Sequence, residues 1–118
     1  MKKILVLLFI ISIISSCSKS DLDPILSISN TITTNGLNFT PSVLNCSVGD
    51  TIFFELGSSH NAIEVSEVDY IANSPTPLEN GFQFGFGASS FLIVDEAKTF
   101  YYVCAPHLPQ MKARIIAE

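Results

Sequence analysis

The residues best suited to chemistry lie near the C-terminus, close together in the sequence. Cys104, His107 and Met111 place a thiol, an imidazole and a thioether within eight positions. The chain contains only one other histidine, His60, and no other methionine apart from Met1. These are soft or borderline donors, and such donors bind transition metals more readily than they bind Mg²⁺ or Ca²⁺. The spacing therefore indicates a metal site built mainly from one loop, with His60 supplied from elsewhere.

This donor set indicates a particular metal. Two imidazoles and a thiolate in a trigonal arrangement, with a long axial thioether, form the coordination of blue-copper centres. Zinc is the nearest inorganic alternative, but it favours four tetrahedral ligands and rarely takes a thioether. A catalytic Cys104 thiolate with His107 as its base is an enzymatic alternative. No oxyanion donor or third orienting group can be identified for it, so we predict a copper protein rather than an enzyme.

The segments on either side of the loop predict the strands that hold it. Residues 99–103 are aromatic and β-branched, as in strands, and residues 112–117 alternate between apolar and polar positions. Other short runs with strand character are 25–28, 37–39, 43–46, 51–56, 61–65 and 90–94. Turn residues such as Asn35-Gly36 separate them. We predict an all-β, Greek-key β-sandwich of seven to eight strands.

Three finer features follow from local patterns. Ser66 begins a capping-box sequence, which predicts one or two helical turns near residues 66–73. Residues 61–65 alternate, so we predict a strand buried on one face only. Phe82, Phe84 and Phe86 recur at every second residue and should share one face. The glycines between and after them, at 85 and 87, suggest a bulge or a close backbone approach.

The N-terminus predicts secretion and a lipid anchor. Lys2 and Lys3 precede an apolar run over residues 4–14, which is shorter than the ~20 residues that a membrane span needs. The following Ser15-Ser16-Cys17 resembles a bacterial lipobox, in which the cysteine becomes the lipid-modified first residue. An ordinary signal peptide with a chance cysteine is the alternative. We predict a signal peptide over 1–16, a lipidated N-terminus and tether over 17–24, and a domain over 25–118.

The acidic net charge limits the kinds of partner that the protein can bind. The net charge is −5, and removal of Lys2 and Lys3 leaves four basic against eleven acidic residues, a net charge of −7. Nucleic-acid binding requires clustered basic residues, so nucleic acid is excluded as a partner. The predicted location is the cell envelope, across the inner membrane, on the periplasmic side or at the outer-membrane surface. The predicted partners are the membrane, through the Cys17 lipid, and redox proteins that donate and accept electrons.

The three cysteines do not form a disulfide framework, because Cys17 and Cys104 already have roles. Cys46 lies in a short strand, where a free cysteine behaves as a small hydrophobic residue. A Cys46–Cys104 disulfide is the alternative, and an oxidising compartment would permit it. That disulfide would remove the thiolate ligand.

Several separate segments carry a resemblance to a known family. They are Phe39-Thr40-Pro41, Val48-Gly49-Asp50-Thr51-Ile52, His60-Asn61, Tyr102-Val103-Cys104-Ala105-Pro106-His107 and Met111-Lys112. Together they resemble the cupredoxins, specifically the plastocyanin and pseudoazurin branch, over residues 36–118. The resemblance implies a cupredoxin-like sandwich with one type 1 copper per chain.

The resemblance also implies roles for individual residues. The implied ligands are His60, Cys104, His107 and an axial Met111, although the neighbouring Gln110 is an alternative axial donor. The Asn61 backbone N–H would point at the Cys104 sulfur, while the His-Asn pair ties the two copper loops together. Pro106 has no N–H and cannot donate a second hydrogen bond to that sulfur.

Two functions fit this site. The first is an electron shuttle between redox partners, and the second is copper delivery or storage with the same fold. No small-molecule substrate site is indicated, and the protein is expected to be a monomer. For a shuttle, Leu108, Pro109 and Gly57 would form a docking surface around His107. The alternative is that Leu108 and Pro109 only shield the copper from water.

Overall fold

The computed structural model describes residues 30–118, and strands dominate this part of the chain. The strands are β1 (Thr31–Asn35), β2 (Asn38–Thr40), β3 (Val43–Cys46), β4 (Thr51–Glu55), β5 (Ala62–Val65), β6 (Gln83–Phe84), β7 (Ser89–Ile93), β8 (Thr99–Val103) and β9 (Lys112–Ala117). A short α-helix, α1 (Glu67–Ile71), follows β5, and a 3₁₀ turn (Ala105–His107) follows β8. Within the described residues, no helix is long and apolar enough to cross a membrane.

The strands form two sheets that pack as a sandwich. One sheet has the order β2-β1-β4-β7 and the other has the order β3-β9-β8-β5-β6. The pairs β1–β4 and β3–β9 are parallel, and the remaining pairs are antiparallel. These directions bring the end of β4, the start of β5, the end of β8 and the start of β9 to one end of the sandwich. The loops that carry the four candidate ligands therefore lie at that end.

The core between the sheets is apolar and aromatic. Ile32, Ile52 and Phe54 of the first sheet and Tyr102 and Ile115 of the second are completely buried. The rings of Phe54 and Tyr102 meet edge to face with centroids 5.6 Å apart, the geometry that aromatic pairs prefer. Burial of each such side chain contributes about 1.5–3 kcal/mol, so these contacts fix how the two sheets sit on each other.

The predicted all-β sandwich is confirmed, although the described chain has nine strands rather than seven to eight. The difference lies in very short strands, since β2 has three residues and β6 has two. The Ser66 helix cap is also confirmed, because its hydroxyl accepts a hydrogen bond from the Asp69 backbone N–H at 3.0 Å. The predicted strand at 25–28, the signal peptide and the tether lie outside the described residues.

One local prediction is wrong. The alternating pattern of residues 61–65 implied a strand with an exposed polar face, yet Glu64 is only 3% exposed. Its carboxylate pairs with the Lys98 ammonium at 3.0 Å and accepts a hydrogen bond from the Phe82 backbone N–H at 3.0 Å. A buried carboxylate is tolerated when it is paired and hydrogen-bonded in this way. Three of the four residues of β5 are buried and Ile63 is half-buried, so neither face of this strand is open to solvent.

Candidate metal centre

His60 is held by a tight loop between β4 and β5. Its backbone N–H donates to the Gly57 carbonyl at 3.0 Å, and the Gly57 N–H donates to the Thr34 hydroxyl at 2.8 Å. A Cβ atom at position 57 would lie 2.9 Å from Thr34 Oγ1 and 3.1 Å from His60 Cδ2. Glycine is therefore needed at position 57, because the loop approaches the His60 imidazole closely. His60 itself is buried, with 8% of its surface exposed.

The second loop connects β8 to β9 and is closed by its own backbone. The Cys104 N–H donates to the Met111 carbonyl at 3.0 Å, the His107 N–H to the Cys104 carbonyl at 3.1 Å, and the Met111 N–H to the His107 carbonyl at 2.9 Å. Pro106 lies in the first turn of the 3₁₀ segment, where a missing N–H costs no hydrogen bond. Three candidate ligands are thus fixed relative to one another by hydrogen bonds that do not involve a metal.

Asn61 connects the two loops. Its side-chain Oδ1 accepts a hydrogen bond from the Ala105 N–H at 2.9 Å, and the residue is buried. The backbone N–H groups of Asn61 and His107 also act on the Cys104 thiol, where they lower its pKa. Asn61 therefore ties the His60 loop to the Cys104 loop through its side chain.

The donor atoms of His60, Cys104 and His107 converge on one point. The two histidine Nδ1 atoms are 3.1 Å apart, and the Cys104 sulfur lies 3.8 Å from Nδ1 of His60 and 3.3 Å from Nδ1 of His107. Ligands bound about 2.0–2.3 Å from one metal ion at angles near 110° lie roughly 3–4 Å from each other. The observed separations match that spacing, so the three side chains fit a single ion.

Met111 lies beside this group in the interior. It is completely buried and belongs to the same apolar cluster as Cys104, whereas Gln110 is exposed. A buried thioether, on the residue whose carbonyl accepts the Cys104 N–H, fits a weak fourth ligand, and the exposed Gln110 amide fits that position less well. The chain thus offers two imidazoles, a thiolate and a thioether at one place.

The local environment affects the Cys104 proton. Burial raises the pKa of its thiol, and hydrogen bonds from the backbone N–H groups of Asn61 and His107 lower it in opposition. Burial is the larger effect, so the thiol keeps its proton in the absence of a cation. A bound metal ion would deprotonate it, because a coordinating thiol is held as the thiolate.

Comparison with known proteins agrees with the donor set. Residues 26–118 match the family described as copper binding proteins, plastocyanin/azurin family. The chain belongs to this family of copper-binding proteins. Copper is therefore the metal that this donor set holds, and one ion per chain fits it. A search of curated proteins gave no match.

Solved structures of this family share the fold. Pseudoazurin from Hyphomicrobium denitrificans is 22% identical, with a TM-score of 0.58, and the match covers 74% of this chain and 73% of that one. Pseudoazurin from Methylobacterium extorquens AM1 is 20% identical, with a TM-score of 0.57, over 74% of this chain and 72% of that one. A reduced amicyanin variant is 23% identical, with a TM-score of 0.56, over 78% of this chain and 84% of that one.

The structure rules out the alternative disulfide and identifies two further residues, Thr34 and Gly87, that support the His60 loop. Cys46 and Cys104 are both free thiols, so the disulfide between them is not formed. Thr34 was not identified from sequence, and no local pattern marks a threonine that anchors a glycine 23 positions later. Gly87 donates its N–H to the carbonyls of both Gly57 and His60 at 3.1 Å. The glycines around it predicted a close backbone approach, but the sequence did not show that the approach is to the His60 loop.

Proposed function

We propose that the protein is a type 1 (blue) copper protein that carries single electrons between redox partners at the cell envelope. The observation that carries this proposal is the convergence of three donor atoms, from His60, Cys104 and His107, within 4.8 Å of one another. With Met111 beside them, this is the donor set that blue-copper electron carriers use. Copper delivery or storage is the competing function for the same donors.

In this proposal His60, Cys104 and His107 would be the strong ligands that hold copper, and Met111 would be a fourth, weak ligand. The bound ion supplies one-electron chemistry by cycling between two oxidation states. The protein's contribution is to hold the ligands still: both loops are closed by backbone hydrogen bonds, and Asn61 connects them. Ligands that move little between the two states keep the barrier to electron transfer low, because a preorganised site needs little rearrangement.

The surface around His107 supports exchange with a partner. His107 and Leu108 are half-buried and Pro106 and Pro109 are exposed, so part of His107 is accessible at this surface. Electrons can leave through an exposed imidazole that lies among stiff apolar residues. Small apolar patches of this kind suit weak, short-lived redox complexes. Gly57 lies on the other side of the site, against the His60 ring.

The decisive experiment is the visible absorption spectrum of the protein with Cu(II). The wild-type protein should be blue, because a thiolate bound to Cu(II) gives an intense charge-transfer band. Cys104→Ser should abolish the colour, and the matched control Cys46→Ser should retain it, since Cys46 lies at the far end of β3. Colour that survives Cys104→Ser would show that another group is the ligand.

A second experiment distinguishes electron transfer from copper carriage. Leu108→Lys should leave the spectrum and reduction potential unchanged but slow electron exchange with a redox protein, because a charge is placed in the proposed docking surface. An unchanged electron-exchange rate, combined with slower copper transfer to an acceptor protein, would support delivery instead.

The proposed location rests on the N-terminal sequence alone. Cys17 in its lipobox context is proposed to carry lipid, with residues 17–24 as a tether between the membrane and the domain. Two or more acyl chains give stable anchoring, whereas one alone is marginal. An anchored carrier would exchange electrons with partners that share the same membrane surface.

A further inference from the structure

The end of the sandwich that holds the donor atoms carries no charged residue in its loops. The four loops that meet there span residues 36–37, 56–61, 85–88 and 104–111, and they contain no Asp, Glu, Lys or Arg. Two charged residues border them. The Glu55 carboxylate is hydrogen-bonded to the Ser89 hydroxyl, and the Lys112 ammonium donates to the Tyr70 carbonyl at 2.7 Å and lies over the Tyr70 ring. Both charges are therefore engaged with neighbours beside this end.

Acidic residues gather at the opposite end. Asp50 lies in the β3–β4 turn, Asp95 and Glu96 lie just after β7, and Glu118 is the last residue. Backbone hydrogen bonds join these segments, from Val48 to Glu118 at 3.1 Å and from Gly49 to Val94 at 2.7 Å. β4 separates the two ends by five residues, or roughly 17 Å. This exceeds the ~8 Å Debye length at physiological ionic strength, so the acidic end exerts little force on a partner at the other end.

Phe86 stands out at the uncharged end. It occupies a tight turn between β6 and β7, closed by the Ala88 N–H donating to the Gly85 carbonyl at 3.2 Å, and 61% of its surface is exposed. The next residue, Gly87, has a φ of +68° and contacts the His60 loop through its two hydrogen bonds. A large aromatic residue is thus held beside the metal-binding loops on a turn whose position is fixed.

The core does not require Phe86. Phe82 and Phe84, four and two residues earlier, stack on each other with centroids 5.1 Å apart, and both pack against Phe54. The predicted shared face therefore holds for these two, and Phe86 lies beyond the end of β6. An exposed aromatic residue without a packing role is a candidate contact for a partner, since aromatic anchors dominate the binding energy of many interfaces.

We propose that Phe86 anchors redox partners at the metal-binding end, and that the partner surface it takes is apolar and uncharged. This proposal rests on the proposed electron-carrier function and extends its docking surface from the Cys104–Met111 loop to the β6–β7 turn. Complementarity to an uncharged end requires a partner surface without clustered charge. A second copy of this chain presents such a surface at its own metal-binding end, with Asp50, Asp95, Glu96 and Glu118 at its opposite end.

The test is the electron self-exchange rate of the copper-loaded full chain, measured by NMR line broadening in mixtures of oxidised and reduced protein. Phe86→Lys should lower the rate by about tenfold or more, because a lysine in the contact must be desolvated and faces its counterpart on the other copy. The matched control is Phe91→Lys. Phe91 is similarly exposed, at 55%, but lies on the outer face of β7 beside Phe53, so its rate should stay within about twofold of wild type. The wild-type rate should also change little with added salt.

The outcomes separate this proposal from the function on which it rests. If Phe86→Lys is blue and exchanges electrons as fast as wild type, the anchor is refuted and the electron carrier stands. Equal slowing by Phe86→Lys and Phe91→Lys would assign the effect to net charge and refute the anchor as well. A wild-type protein that is not blue with Cu(II) would overturn both. Phe86→Ser, which adds no charge, should also slow exchange, and an unchanged rate would count against the proposal.

Discussion

Replacing Asn61 by alanine should loosen the connection between the two loops at the metal centre. The substitution removes Oδ1, which accepts the Ala105 N–H at 2.9 Å, and leaves the Asn61 backbone in place. The effect of that backbone N–H on the Cys104 thiol should therefore be unchanged. This makes the variant a selective test of the side-chain link, because the ligands themselves are untouched.

The expected cost follows from the burial of the groups involved. Leaving a buried donor without its partner costs about 1–3 kcal/mol. Ala105 is half-buried, so water can replace part of the lost bond, and we expect a loss of about 2 kcal/mol in the free energy of unfolding. With a urea m-value of about 1 kcal/mol/M, the unfolding midpoint should fall by about 2 M. The melting temperature should fall by about 8–16 °C for a domain of this size.

The assay is urea unfolding of the copper-free protein, followed by the visible spectrum of the Cu(II) form. Asn45→Ala is the matched control, because Asn45 is exposed in β3, and its effect should stay within about 0.5 kcal/mol. The Asn61→Ala protein should remain blue with an altered band position. A stability loss below about 0.5 kcal/mol, or an equal loss in both variants, would show that the loops do not depend on this hydrogen bond.

Three further predictions concern other parts of the chain. Met111→Leu should keep the blue colour and raise the reduction potential, measured by voltammetry, because a weak axial donor is lost; an unchanged potential would argue against Met111 as a ligand. Mass spectrometry of the native protein should find lipid on Cys17 and no residue before it, and an unmodified Cys17 would contradict the anchor. Glu64→Ala should destabilise the protein by about 2–4 kcal/mol in urea unfolding, since it strands the Phe82 N–H and unpairs Lys98. A loss below about 1 kcal/mol would mean that this pair matters little.

Local pattern was sufficient for the elements that carry the ligand loop. Residues 99–103, predicted from their aromatic and β-branched content, are the observed bounds of β8, and residues 112–117 are those of β9. The spacing of Cys104, His107 and Met111 then confines three donors to a loop whose ends are adjacent in an antiparallel pair. Only the approach of His60 required the whole fold, and there the sequence relied on resemblance.

The features that sequence could not predict depend on contacts between distant positions. Glu64 carried the pattern of an exposed strand residue, but Lys98 and Phe82, 34 and 18 positions away, make its burial tolerable. Thr34 supports the Gly57 loop from 23 positions upstream. An alternating pattern predicts that each polar residue faces solvent. It does not reveal a hydrogen-bond or ion-pair partner from a distant part of the chain.

The two loops explain how the fold would serve the proposed electron transfer. Three donor atoms lie 3.1–3.8 Å apart in the folded chain, where hydrogen bonds from Asn61 and within the Cys104–Met111 loop hold them. The fold has therefore met the cost of bringing these polar groups together before a metal arrives. The Cys104 thiol would give up its proton when the site holds copper, and the free energy of metal binding would add to the stability of the folded chain. Because the loops are already held together by the protein, little structural rearrangement would accompany a change in the oxidation state of the bound copper.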